Sequence, residues 1–208
     1  MSTAEPGSRN RSSVNRPSDD HYPTPVEAVY PLIRTLALPN KIWEPACGEG
    51  HISRVLEEYG HNVVSTNLID RGYGKPNVNF LTQKRARAKC IVTNPPFSLD
   101  EEFIEHAFRL GVDVAAFFLP VKKLCGQDRY KRIHGPTPPA LVLCFVERIT
   151  FYAGDTAVED QPGWRTEDFA WFIWRKGFKG KPTIGWLSRD DGEQRDMFLP
   201  EPNGGIVR

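Results

Sequence analysis

The sequence predicts an α/β protein: a mostly parallel sheet that ends in an antiparallel hairpin of two strands. Three observations carry that prediction. Short apolar runs alternate with segments of helical periodicity from residue 21 through the first two-thirds of the chain. Two of those runs stop abruptly in turn-forming residues, at Pro45–Gly50 and at Asn94–Pro96. Past residue 167, two strand-like runs follow one another with no helical pattern between them.

The elements follow in order. Residues 1–20 are rich in Ser, Asn, Pro and Arg and have almost nothing to bury, so a disordered tail is expected, with 21–208 as one domain. PVEAVYPLIRTLAL (25–38) sets Val26, Val29, Ile33, Leu36 and Leu38 at helical spacing. KIWEPA (41–46) reads as the first strand, and HISRVLEEYG (51–60) as a helix closing on Gly60. HNVVSTN (61–67), VNFL (78–81) and KCIVTN (89–94) read as three further strands. The helix expected around 99–110 carries Phe103, Ile104, Ala107, Phe108 and Leu110 on its apolar side, with Ser98 or Asp100 as a cap. DVAAFFLP (113–120) and ALVLCFVERI (140–149) are strongly apolar strands. DFAWFIWRKG (168–177) and KPTIGWL (181–187) form the expected hairpin across Lys176–Gly180.

A chain of 208 residues suffices for one sizeable core. Net charge is +1, from 27 basic and 26 acidic side chains, so any polyanion surface has to come from local clustering. The four cysteines form no C-x-x-C pair, and the five histidines show no ligand spacing. Both facts argue against a structural metal and against a disulfide scaffold. The N-terminus lacks the apolar centre of a signal peptide, and no apolar run approaches the ~18–20 residues a membrane span needs. A cytoplasmic protein is expected.

WEPACGEG (43–50) places an acid at the end of the first strand, then a glycine turn, then a helix. Glycines there let backbone approach a ligand where a Cβ would collide. The continuation Gly48-Glu49-Gly50-His51-Ile52-Ser53 lacks the third glycine of a dinucleotide fingerprint, and Glu44 and Glu49 would repel a pyrophosphate. The acidity suits a ligand that carries positive charge. NPPF (94–97) is a second, rigid knot: each proline fixes its own φ and pushes the residue before it out of the helical region.

EPACGEG resembles the cofactor loop of the class I S-adenosylmethionine-dependent methyltransferases. Followed about 45 residues later by NPPF, it resembles the amino-methylating DNA methyltransferases, specifically the small phage-type N6-adenine enzymes. YPTP (22–25) is similar to the segment with which that family begins, and the resemblance spans about residues 21–187 in matching order. It implies a Rossmann-like fold and S-adenosylmethionine as cofactor. By that resemblance Glu44 meets the ammonium group of the cofactor, Ala46, Cys47, Gly48 and Gly50 wrap it with backbone, and Tyr22, Thr24 and Pro25 close over it. Asn67 stands at the strand end where the family has a ribose-gripping acid, and Asp70 is the nearest candidate for that role. Asn79, with Phe80 beside it, stands where an aspartate often accepts from the adenine amino group. A neutral hydrogen bond contributes ~0.5–1.5 kcal/mol against ~1.5–3 for a charged one, so modest cofactor affinity is expected.

The resemblance also gives the NPPF knot a task. An adenine N6 lone pair is delocalised into the ring, and two acceptors binding both amino hydrogens would favour the tetrahedral shape that methylation requires. The Asn94 side-chain oxygen and the Pro95 carbonyl are the implied acceptors, preorganised by Pro95 and Pro96. Phe97 offers a face on which a flipped base can stack, a contact worth ~1–3 kcal/mol. No metal is required. Lys122, Lys123, Arg129, Lys131 and Arg132, just past the fifth strand, are the expected phosphate contacts to DNA. Trp164, in the long segment 148–168, is a further candidate for base contact or loop anchoring. RNA adenine, a protein glutamine amide, or cofactor binding without catalysis are the alternatives; Phe97 rather than tyrosine, and the short segment before the first strand, weigh against the glutamine enzymes.

Overall fold

The computed structural model describes residues 21–151 and 165–189. Its centre is a sheet of seven strands (β1 Lys41–Glu44, β2 Asn62–Ser65, β3 Cys90–Thr93, β4 Val114–Pro120, β5 Leu141–Phe145, β8 Phe169–Arg175, β9 Thr183–Leu187) in the order β2-β1-β3-β4-β8-β5-β9. Every neighbouring pair is parallel except the two made by β8, which runs against both β4 and β5. The mostly parallel α/β sheet is therefore as expected. The reversed strand is β8; it and β9 run oppositely, but β5 lies between them, so they do not pair as a direct hairpin.

Alternation along the strands divides the apolar side chains into two layers. Ile42, Val92, Phe118, Leu143, Trp171 and Ile173 pack with α1 (Tyr30–Thr35) and α2 (His51–Glu58) on one face. Trp43, Ile91, Phe117, Val142, Phe172 and Trp174 pack with α3 (Asp100–Arg109) on the other. Burial on both faces explains why β4 and β8 read as nearly continuous apolar runs. On edge strand β9, by contrast, Trp186 is mostly exposed.

Several local expectations are corrected. Residues 25–38 break into a 3₁₀ turn, Val26–Ala28, and the short α1, whose first turn holds Pro31. VNFL is not a strand: the Asn79 side chain accepts from the Leu81 N–H and turns the chain into a 3₁₀ segment, Phe80–Thr82. Leu99, not Ser98 or Asp100, occupies the α3 cap position. Asp100 instead pairs with Lys123 at 2.5 Å. The long segment after β5 contains a two-stranded ribbon, β6 (Ile149–Phe151) with β7 (Arg165–Glu167). Residues 1–20, Trp164 and residues 190–208 lie outside the described residues.

The sheet order positions the site. From β1 the chain crosses through α2 to β2 on one side, then returns to β3 on the other side of β1. Such a reversal opens a crevice at the carboxyl ends of the two central strands, where ligands bind in α/β sheets. Pairing of Trp43 with Ile91 brings the turn after Glu44 and the turn after Thr93 to the same edge of the sheet.

Candidate active site

A cavity of about 280 Å³ opens at that reversal, lined by both turns and by the segment His21–Thr24. Glu44, the last residue of β1, forms its floor and is 1 % exposed. Ser53 of α2 reaches back to the carboxylate with its hydroxyl, and the Ser65 hydroxyl at the end of β2 lies 2.6 Å from that of Ser53. Burial dominates over these hydrogen bonds and pushes the Glu44 carboxyl up to about 8. No cationic side chain among the described residues pairs with it. A buried acid on a cavity wall with no cation of its own is suited to a ligand that brings one.

The glycine turn is built for close approach. A Cβ on Gly48 (φ +53°) would lie 2.8 Å from the His21 ring, whose Nε2 sits 3.2 Å from Glu49 Oε1. Gly50 (φ +88°) lies directly beneath the Tyr73 ring, which is held by Glu57 at 3.0 Å and by the Arg54 guanidinium 4.5 Å above its centre. Gly50→Ala would place its Cβ 2.5 Å from that ring, in a left-handed conformation that alone costs about 1–2 kcal/mol. Gly60→Ala, also at positive φ (+85°) but with open space around it, is the control. We expect G50A to lower the urea midpoint clearly more than G60A does.

Cys47 lines the cavity, and burial pushes its thiol up to about 12, which disfavours the thiolate form.

The second turn contributes Asn94, Pro95, Pro96 and Phe97, all on the cavity wall. The Asn94 carboxamide nitrogen donates to Thr24 Oγ1 at 2.9 Å and, more weakly, to the Tyr22 carbonyl at 3.4 Å. Its Oδ1 is shielded from solvent and has no hydrogen-bond partner. An unsatisfied buried acceptor of this kind costs about 1–3 kcal/mol until something donates to it. Phe97 is not an open platform: its ring stacks on Tyr22 at 5.1 Å and packs edge-on and tilted against Phe151 and Phe169. The two prolines and this aromatic cluster hold the turn rigidly in place.

The cavity thus gathers Tyr22, Thr24, Glu44, Ala46, Cys47, Gly48 and Asn67 together with the NPPF turn. Asn67 lines it but donates its amide to the Ile69 carbonyl at 2.7 Å. Pro25, Gly50, Asp70, Asn79 and Phe80 are not on its wall. Asp70 accepts the Gly72 N–H within its own turn, and Phe80 is buried against Trp43 and Phe103 on the α3 side. Sequence reasoning missed the serine pair behind Glu44 and the rim formed by Leu68, Ile69 and Arg71. Leu68 and Ile69 carried a signal, two adjacent apolar residues in an otherwise polar loop.

Of the five basic residues expected to meet phosphate, four have carboxylate partners. Lys122 pairs with Glu167 at 3.0 Å, Lys123 with Asp100, Arg129 with Glu101 at 2.8 Å, and Arg132 with Glu101 and with Glu105 at 3.1 Å. Lys131 has no such partner among the described residues. These pairs fasten the segment 121–134 to α3 and β7. Among the described residues no cluster of His, Cys, Asp and Glu could hold a metal ion, and no helix is long and apolar enough to cross a membrane.

Solved structures share this architecture. The methyltransferase subunit of a type I restriction-modification system from Streptococcus thermophilus matches at TM-score 0.56 and 12% identity, over 80% of this chain and 47% of that one. A protein from Listeria monocytogenes assigned to the class I S-adenosylmethionine-dependent methyltransferases matches at 0.54 and 11% identity, over 84% of this chain and 68% of that one. A predicted O-methyltransferase from Agrobacterium tumefaciens matches at 0.53 and 11% identity, over 77% and 85%. The chain spans about half the length of the restriction-modification subunit. Neither a protein-family model nor a curated protein matches the sequence. The fold is that of the class I methyltransferases.

Proposed function

We propose that the chain is an S-adenosylmethionine-dependent methyltransferase acting on the exocyclic amine of adenine in DNA. The observation that carries this reading is the Asn94 Oδ1, a buried acceptor lacking a donor, in the wall of a cavity whose floor is an acid lacking a cation. Such a pair of unmet needs fits one ligand bearing an ammonium group and another bearing an amino group.

S-adenosylmethionine, when bound, supplies a methyl group already activated on a sulfonium. Glu44 would take the ammonium end, the Gly48 backbone would allow close approach, and Asn67 would face the ribose. Asn94 Oδ1 and the Pro95 carbonyl would each accept one amino hydrogen, turning the nitrogen lone pair toward the methyl carbon. Phe97 serves this arrangement as a rigid wall, its face toward Tyr22 being occupied.

The restriction-modification subunit among the similar structures supports a nucleic-acid substrate. Lys122 and Arg132, both more than half exposed, and exposed Lys131 are the proposed phosphate contacts. Lys123 and Arg129, less than one-fifth exposed, hold the segment in place. Because these contacts release counterions, binding should weaken steeply with salt.

The test is incubation with methyl-labelled S-adenosylmethionine and, separately, duplex DNA, single-stranded DNA, RNA and protein, followed by nucleoside analysis. Label in N6-methyladenine from DNA is the expected result. Label only in RNA or protein reassigns the substrate, and cofactor binding without label in any acceptor leaves a binding module.

A further inference from the structure

We infer that Thr24 is a positioning residue whose hydroxyl, with the Tyr22 carbonyl, fixes which way round the Asn94 carboxamide sits. The inference rests on the adenine-methylating reading of Asn94 and assigns to Thr24 a task distinct from covering the cofactor.

An asparagine carboxamide is nearly symmetric in shape, and a half-turn about its last bond exchanges the acceptor for two donors. Facing an amino group, the flipped form would present N–H to N–H and could not assist the reaction. Pro95 and Pro96 fix the backbone of the turn but have no control over this torsion. Its control comes from 70 residues earlier in the chain: Asn94 Nδ2 lies 2.9 Å from Thr24 Oγ1 and 3.4 Å from the Tyr22 carbonyl.

The threonine hydroxyl alone could serve either orientation, because it can donate or accept. The Tyr22 carbonyl can only accept, so it requires nitrogen on that side. Together they direct the amide nitrogen at the 22–24 segment and leave Oδ1 without a partner. Thr24 is itself buried, 6 % exposed, so water does not substitute readily for its hydroxyl. The segment is anchored at two further points, by the Tyr22 ring on Phe97 and by His21 on Glu49. The segment that closes one side of the cavity therefore also sets the polarity of the catalytic amide.

The test uses T24V, which keeps the shape and removes the hydroxyl, and T24S, which keeps the hydroxyl. We expect T24V to lower kcat about tenfold at saturating cofactor, the size of one lost hydrogen bond. Its Kd for S-adenosylmethionine should stay within about twofold, and T24S should recover kcat. In parallel, the side-chain amide protons of Asn94, identified by their loss in N94A, should exchange at least tenfold faster in T24V than in the parent. If T24V fails to fold, T24A is measured in the same way. Unchanged kcat with weakened cofactor binding would overturn the inference and make Thr24 a cofactor contact only. If the parent protein methylates no adenine, the functional reading fails separately, and unchanged Asn94 amide exchange in T24V would then overturn the positioning role.

Discussion

Asn94→Ala should reduce methyl transfer by at least a thousandfold while leaving the Kd for S-adenosylmethionine within about threefold. Removing one preorganised hydrogen-bonding group at a reacting centre, as measured for an oxyanion-hole donor, costs about 10²–10³ in kcat. Here the loss is compounded, because the carboxamide also anchors the segment 22–24. Asn94→Asp is the sharper variant. Aspartate keeps an acceptor toward the substrate but puts a second oxygen opposite the Tyr22 carbonyl, which cannot donate. N94D should therefore retain more activity than N94A, with a lowered melting temperature. Stability and turnover would separate: N94A is the less active of the two and N94D the less stable. Single-turnover rates with saturating cofactor and thermal melts measure both, and N94A turning over at the parental rate would remove Asn94 from the mechanism.

The second large effect concerns Glu44. Its carboxyl titrates near 8 in the folded chain, against 4.5 for the ordinary group. Between those values the folded protein holds a proton that the unfolded chain has released, so stability falls as pH rises across that interval. Below about 4.5 both states are protonated, and above about 8 both are ionised, so the contribution is flat outside the window. Glu44→Gln removes the titrating group and should flatten the dependence, making the variant the more stable protein at pH 8. It should also weaken S-adenosylmethionine binding by at least tenfold, because the ammonium loses its anionic partner. A cation bound beside Glu44 would favour its charged form. Cofactor binding near pH 7 should then release about one proton, visible as a dependence of titration enthalpy on the buffer. E44Q should abolish that release.

The sequence exposed the sheet and both turns of the site because each was written in local chemistry. The apolar runs of β3, β4 and β8 have no helical period, and the NPPF knot cannot continue either kind of element. What stayed hidden depended on contacts distant in sequence. VNFL has the residues of a strand, yet an asparagine cap and the lack of a partner strand turn it into a 3₁₀ segment. The basic cluster 122–132 is conspicuous in one dimension, but its pairing with the α3 carboxylates comes only from the packing of two segments against each other. Tyr22 and Thr24 were legible as parts of the site; that they hold an amide 70 residues away was not.

The place of β8 bears on how a nascent chain reaches this fold. Residues 169–175 follow β4 and β5 in the chain, yet they supply the fifth strand of seven, the one that lies between β4 and β5. Until they are in place, β4 has one unpaired edge and β5 has no partner on that side, the kind of surface that draws in other chains. A chain ending before residue 169 would therefore keep the order β2-β1-β3-β4 but leave β5 without either of its neighbours, β8 and β9.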